Sequence, residues 1–395
     1  MLTGIAVIFI GGLILGAVFA KIKLPSLVGM LLAGMILGPR ALNLIDSAVL
    51  DISADLRQLA LVIILARAGL SLDIDDLKKI GRPAVMMSFI PACFEMTGTI
   101  LVAPWLLGVP LLDAAIMAAV VASASPAVIV PRMIRLIEEG YGADKLIPQM
   151  ILAGDSVDDV FNIVVFTALV GVASGRGASA ASFVVVPVSI LLGILIGVAA
   201  GFLLDIIFRH IKMRDSVKVL LLLSIAFLLL ALEEFTGEKL PFSALLSVMT
   251  AGVVLLRRSP VRAAGISAKL SRLWVGAEVL LFVLVGASLN VQAAADAGLK
   301  TALMLVIILI FRACGILICL VKTNITPRER LFCTFTGIPK ATVQAAIGGI
   351  PLAMGLRNGE LILAVAVLTV LITAPLGAFV IDSTYKRLLN EKNEA

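Results

Sequence analysis

The chain has 395 residues, of which 61% are hydrophobic and 15% charged, and its mean hydropathy is +1.14. A soluble domain carries about 45–50% apolar and about 25% charged residues, so this composition argues against a water-soluble enzyme or nucleic-acid binder. The formal charge of +6 arises from 32 Lys+Arg against 26 Asp+Glu, and the placement of those bases carries more information than their sum.

A helix crossing the hydrocarbon core needs about 20 mostly apolar residues. In chain order, thirteen such segments are predicted, near 2–20, 24–39, 56–72, 83–107, 111–131, 146–172, 180–207, 217–232, 240–256, 273–291, 301–321, 331–354 and 360–381. No basic run precedes the first, which is expected to be a retained span and not a cleaved signal. The second is short for a span. The fifth carries Ala122-Ser123-Ala124-Ser125-Pro126-Ala127 and a further proline, Pro131. The sixth carries Gly154-Asp155-Ser156-Val157-Asp158-Asp159-Val160-Phe161-Asn162. The twelfth carries Gly337-Ile338-Pro339-Lys340-Ala341-Thr342-Val343-Gln344, then Gly348-Gly349. Proline removes a helical N–H and clashes with the preceding turn, so the fifth and twelfth helices are expected to break at Pro126 and Pro339. Freed backbone at membrane depth is tolerated only where it is buried in protein or lines a cavity. The cysteines Cys93, Cys314, Cys319 and Cys333 sit in apolar runs without metal-type spacing and are expected to be buried free thiols.

The bases test this count, because cytoplasmic loops carry an excess of Lys and Arg. Only Arg40, Arg57, Arg176, Lys239, Lys300 and Arg357 follow even-numbered segments. Arg67, Arg312 and Lys340 fall well inside spans, and all other bases follow odd-numbered ones, with Arg57 and Lys218, at the first residues of their segments, counted with the loops before them. The N-terminus is therefore expected outside and the C-terminus in the cytoplasm, in a bacterial inner membrane or a plasma membrane.

A weak self-similarity recurs at a shift of about 216 residues. Lys23-Leu24-Pro25 matches Lys239-Leu240-Pro241, and Gly69, Ser71 and Leu72 match Gly286, Ser288 and Leu289. Phe94-Glu95 falls opposite Phe311-Arg312, and Pro126 falls close to the counterpart of Pro339. Equivalent helices are seven spans apart, so the two copies run in opposite directions. The expected fold is an all-α polytopic membrane protein of thirteen transmembrane helices. Two six-helix inverted repeats are joined by a linker helix, with two discontinuous helices that cross. Inverted repeats of this kind are typical of secondary transporters, which bind substrate near the midplane between the repeats.

Charges at membrane depth cost about 2.5–3.5 kcal/mol each on insertion scales and mark functional sites by default. Spacings of three and four put Asp155 on one helix side with Asp158 and Asp159, and Asn162 continues that face. Hard oxygen ligands suit an alkali cation, and a carboxylate that holds either a proton or a cation is the minimal machinery of exchange. Glu95 and Arg312 occupy matching repeat positions with opposite charge and are expected to form a buried ion pair. Lys340 is expected to neutralise a half-helix C-terminus or an aspartate, and remains a candidate proton carrier. Arg67 and Glu278 are a further candidate pair.

Leu24-Pro25-Ser26-Leu27-Val28-Gly29-Met30-Leu31-Leu32-Ala33-Gly34-Met35-Ile36-Leu37-Gly38-Pro39 resembles the second helix of the monovalent cation/proton antiporter superfamily. Ser125-Pro126-Ala127-Val128-Ile129-Val130-Pro131, Asp158-Asp159 and Pro339-Lys340-Ala341-Thr342-Val343-Gln344-Ala345-Ala346 are similar to its paired-aspartate sodium/hydrogen exchanger branch. The compact loops look prokaryotic.

The resemblance implies Na+ (alternatively Li+) exchanged for H+ by an elevator-like alternation, with K+/H+ exchange or Na+-coupled solute symport as the competing readings. It implies a homodimer embedded in a lipid bilayer, with no cofactor, no nucleic acid and no enzymatic activity. A dimerisation domain would span 1–79 and 213–296, and a core transport domain 80–175 and 297–385. A linker helix would occupy 176–212 and a cytoplasmic tail 386–395. By position, Asp159 would be the principal cation and proton site and Asp158 its partner. Ser125 and Thr342 would supply nearby oxygens, and Arg312 matches the family's basic residue in its helix. Asp155 is an acid beyond the family pattern. The stoichiometry stays open between electrogenic and electroneutral, with the Glu95–Arg312 symmetry favouring the latter.

Overall fold

A computed structural model describes residues 1–71, 81–173, 180–236, 240 and 242–391; the side chains of 156 and 180–187 are not among those described. Lys78, Lys79, Arg176, Lys239, Pro241, Leu72, Lys392 and the domain boundaries at 79/80 and 175/176 lie outside the described residues.

The chain is helical in each of the thirteen expected segments. In order, the helices are α1 (Leu2–Lys21), α2 (Ser26–Leu37), α3 (Ser47–Asp51), α4 (Ser53–Ser71), α5 (Arg82–Met87), α6 (Ile90–Leu107), α7 (Leu111–Val121) and α8 (Pro126–Glu138). They continue as α9 (Ile147–Ala173), α10 (Ala180–His210), α11 (Asp215–Thr236), α12 (Ala244–Arg258), α13 (Pro260–Ser288) and α14 (Val291–Cys319). The last four are α15 (Pro327–Thr336), α16 (Thr342–Ile347), α17 (Ile350–Ala353) and α18 (Gly359–Leu388). Among the described residues, nine stretches are long and apolar enough to cross a membrane, with Ser26–Leu37 and Thr342–Ala353 as shorter apolar helices. The count of nine falls short of thirteen for physical reasons. α2 and α12 have 12 and 15 residues, the twelfth segment is cut into short helices, and α4 carries three charges among its 19 residues.

The helices fall into two compact units. The first comprises Met1–Ala54, Asp75–Ile163 and Leu281–Ala395. Within it, the small residues of the Leu-Pro helix serve close packing. A Cβ on Gly34 would lie 1.9 Å from the Val283 carbonyl oxygen, and one on Gly286 would lie 2.1 Å from that of Leu31. Only glycine lets α2 and the end of α13 approach so closely.

The second unit comprises Asp55–Ile74 and Val164–Leu280. In it, the Arg67 guanidinium lies 5.8 Å from the Trp274 ring centroid and within Coulombic reach of Glu278. Asp205, 1% exposed, accepts from Arg258 at 2.7 Å and pairs with Arg209 at 3.0 Å, tying the ends of α10 and α12.

All four cysteines are free, as expected, but only Cys319 and Cys333 are buried. Cys93 and Cys314 lie on outward faces of α6 and α14. An apolar run in a membrane helix covers both its packed and its outer face, so hydropathy does not separate the two.

Candidate ion-binding site

The site lies wholly within the first unit and is built where two helices stop short. The first break separates α7, which ends at Val121, from α8, which starts at Pro126. Proline is favoured at the first helical position because its missing N–H needs no partner there, so Pro126 opens a new half-helix. The second break runs from Thr336, the end of α15, to Thr342, the start of α16, across Gly337-Ile338-Pro339-Lys340-Ala341. The two breaks are joined directly. The Ser125 amide donates to the Pro339 carbonyl oxygen at 2.9 Å. The Gln344 side-chain amide donates to the Ser123 carbonyl at 2.9 Å and the Val121 carbonyl at 3.3 Å. Both Pro126 and Pro339 thus sit at helix interruptions, and the freed backbone of one is satisfied in part by the other.

Buried charges cap the crossing. Arg312 donates to Glu95 Oε2 at 3.0 Å, the buried pair expected of these two residues. The same guanidinium reaches Asp158 Oδ2 at 2.9 Å and the Ala122 carbonyl oxygen. Lys340 Nζ donates to Glu95 Oε2 at 2.6 Å and to the Ala122 carbonyl at 3.2 Å. Ala122 is the C-cap of α7, so both cations oppose the negative end of that half-helix dipole. Glu95 and Lys340 are 0% exposed and Arg312 is 4% exposed.

The paired aspartates on α9 have different surroundings. Asp158, 0% exposed, accepts from the Ala124 amide at 3.0 Å, from Arg312 and from the Asn162 side chain at 3.3 Å. Asp159 is partly exposed and accepts from the Ser123 hydroxyl. Asp159 makes no ion pair among the described residues. Several nearby polar atoms are buried without a hydrogen-bond partner: Ser125 Oγ, Thr342 Oγ1, Asn162 Oδ1, Gln344 Oε1 and Asp155 Oδ2. These are neutral or anionic oxygens, the donor set that a hard alkali cation takes.

Of the side chains singled out from sequence, Glu95, Asp158, Asn162, Arg312 and Lys340 form one hydrogen-bonded network. Ser125 and Thr342 border the breaks without bonding to either aspartate. Ser123 was not singled out, yet its hydroxyl is the group that meets Asp159; it stands in the same Ala-Ser-Ala-Ser run. The Ala122 carbonyl and Thr373, whose hydroxyl accepts from the Lys340 amide at 3.1 Å, were not foreseeable from residue type.

The sodium/hydrogen exchanger transmembrane family pattern matches residues 5–386 of this sequence. The chain belongs to the sodium/hydrogen exchanger family. It is therefore a multi-pass membrane protein. Among its relatives, sodium/hydrogen exchanger 9B2 of Mus musculus is 32% identical over 413 residues, covering 99% of this chain and 74% of the relative. The Xenopus tropicalis 9B2 exchanger is 33% identical over 422 residues, 100% of this chain and 76% of the relative. Sodium/hydrogen exchanger 9B1 of Homo sapiens is 28% identical over 412 residues, covering 98% and 78% respectively. The fold is that of the sodium proton antiporter MjNhaP1 from Methanocaldococcus jannaschii, with a TM-score of 0.84 at 20% identity and 97% of each chain covered. The exchanger resemblance drawn from the Leu-Pro helix, the paired aspartates and the Pro-Lys-Ala-Thr-Val-Gln stretch thus extends along the whole chain.

Proposed function

We propose that this chain is a secondary active antiporter that exchanges Na+, with Li+ as a second cation, for H+. In this reading Asp159 binds either the cation or a proton. Asp158, tied to Arg312, holds the electrostatic frame beside it, and Ser125, Thr342, Asn162 and Asp155 contribute oxygens. One observation carries the reading: of the two adjacent aspartates, one is neutralised by a fixed guanidinium while the other meets only a hydroxyl. Its support comes also from the names of the relatives, which are sodium/hydrogen exchangers.

The same reading takes the thirteen segments as thirteen spans in two inverted repeats. The dimerisation domain is then 1–79 with 213–296, and the core transport domain is 80–175 with 297–385. The linker is 176–212 and the tail 386–395. The core moves against a homodimeric scaffold, with the N-terminus outside and the C-terminus in the cytoplasm of a bacterial inner membrane or a plasma membrane. The chain works as a transporter without a cofactor or an enzymatic step.

Purified protein in proteoliposomes with an acid lumen and a pH-sensitive dye tests this. Addition of Na+ should restore the dye signal, K+ should not, and Asp159→Asn should abolish the response. A full response from Asp159→Asn removes Asp159 from the mechanism, and a response to K+ equal to that for Na+ overturns the choice of cation.

A further inference from the structure

The Pro-Lys-Ala-Thr-Val-Gln stretch ends on a glutamine set among buried apolar neighbours. Gln344, on α16, is 1% exposed, and Val343, Ala345, Ala346 and Ile347 beside it are buried. Its side-chain nitrogen directs both protons across the crossing, to the Ser123 carbonyl at 2.9 Å and the Val121 carbonyl at 3.3 Å. Val121 is the last residue of α7 and Ser123 lies beyond it, so neither carbonyl finds a donor inside that helix. Turned over, the amide would set its oxygen against the same two carbonyl oxygens, so the nitrogen belongs on this side. The amide oxygen, Oε1, is buried without a hydrogen-bond partner. Leaving such a group unpaired costs about 1–3 kcal/mol, a cost that a methionine of similar length would avoid. Filling space does not account for a glutamine here; holding the two carbonyls does.

Those carbonyls lead to the paired aspartates. The Ser123 hydroxyl donates to Asp159 Oδ1, and the Ala124 amide donates to Asp158 Oδ2 at 3.0 Å. The Ser123 carbonyl and the Ala124 N–H belong to one planar peptide unit. Gln344 holds its oxygen and Asp158 holds its nitrogen, so the unit is clamped at both ends, and the direction of the Ser123 side chain follows from that clamp. The Asp158 tie uses a backbone amide, which every residue but proline supplies, whereas the Gln344 tie depends on one side chain. The hydroxyl has a single proton and a second acceptor at hand, the Ala124 carbonyl at 3.1 Å. Its preference for Asp159 therefore depends on how the peptide is turned.

We propose that Gln344 is a positioning residue for the cation: from the opposite half-helix it orients the Ser123–Ala124 peptide, and so keeps the Ser123 hydroxyl at Asp159. The inference rests on the antiport reading and deepens it, by adding Ser123 and Gln344 to the side chains that set cation affinity. A hydroxyl both donates and accepts. It donates to Asp159 when no cation is bound and turns an oxygen lone pair to the cation that arrives there. Gln344 makes no hydrogen bond to either aspartate and acts through Ser123.

The test is a Na+ titration of the proteoliposome assay, giving apparent KM and maximal rate per folded protein. Gln344→Met and Gln344→Leu should each raise the KM for Na+ about tenfold or more, the usual effect of losing a group that orients a ligand, with little change in maximal rate. Ser123→Ala should raise it similarly. Gln344→Met combined with Ser123→Ala should raise it no further than the larger single change, because both remove one shared contact. Gln344→Asn, which keeps the amide but falls one methylene short, supplies the same comparison if the apolar variants do not fold. An unchanged KM with a lower maximal rate in the Gln344 variants overturns the proposal and leaves a packing role. An unchanged KM in Ser123→Ala, or a double variant whose rise is the product of the two single rises, overturns it as well. Failure of the antiport reading shows differently, as the absence of any Na+ response from the unmodified protein.

Discussion

Arg312 bridges Asp158 and Glu95, at 2.9 and 3.0 Å, through its two terminal nitrogens. It therefore joins the sixth segment, which holds the paired aspartates, to the fourth, and its third contact is the end of the half-helix α7. A planar guanidinium with five donors in a fixed fork suits this task, and an ammonium does not.

Removing Arg312 should be among the costliest single changes in the chain. Breaking a buried pair leaves an uncompensated charge and costs about 3–5 kcal/mol. Arg312→Gln and Arg312→Lys should both lower the thermal unfolding midpoint in detergent by well over 5 °C. An unfolding midpoint unchanged by Arg312→Gln shows that the bridge contributes nothing to stability.

The ion pairs at the far end of α8 should behave oppositely. Asp382 meets Arg132 and Arg135, each at 3.0 Å, but its side chain is 34% exposed and that of Arg135 is 42% exposed. Solvent-screened pairs are worth about 0–1 kcal/mol each. Asp382→Asn should shift the midpoint by no more than a few degrees, and that small shift should shrink further in high salt.

The glycines give a contrast on a single backbone scale. Alanine at Gly34 or Gly286 forces a Cβ onto a facing carbonyl oxygen, and overpacking of this kind costs about 1–3 kcal/mol. At Gly298, inside α14, a Cβ would meet open space, with no neighbouring heavy atom within 4 Å. Gly298→Ala should raise the midpoint, since alanine gains up to about 1 kcal/mol over glycine in a helix interior. Parallel melting curves of the three variants decide it.

Glu329 gives a pH-dependent prediction outside the spans. Burial pushes its carboxyl up, but the Lys145 ammonium at 2.6 Å and the Thr326 capping bonds outweigh that and hold it below its ordinary value. A carboxyl whose folded pKa is depressed stabilises the fold above its unfolded pKa, about 4.3 for Glu. That contribution is lost as the pH falls through the lower folded value. Glu329→Gln should therefore melt lower than the parent at pH 7, and the gap should narrow as the pH falls below about 4. A gap that stays constant from pH 7 to pH 3 is the contrary result.

Much of the fold was legible because membrane helices announce themselves by length and apolarity, and because Pro126 and Pro339 mark their own breaks. The Glu95–Arg312 pair was legible from repeat position alone. The division of labour between Asp158 and Asp159 was not. Helical spacing orders residues on one helix, but Arg312 reaches Asp158 from 154 positions away and Lys340 reaches Glu95 from 245. Ser123 and Ser125 differ by two positions in one short run, and only the local backbone path selects which hydroxyl meets Asp159.

That sequence distance also has a consequence for biogenesis. During synthesis, Glu95, Asp155, Asp158 and Asp159 leave the ribosome long before Arg312 and Lys340 exist. At about 5–20 residues per second, the wait is on the order of ten seconds or more. For that interval the nascent chain holds four acids in hydrophobic segments with no permanent counter-charge from these two bases. Stable insertion of the fourth and sixth segments is thus provisional until the last third of the chain arrives, and the insertion machinery or bound protons must shelter the acids meanwhile.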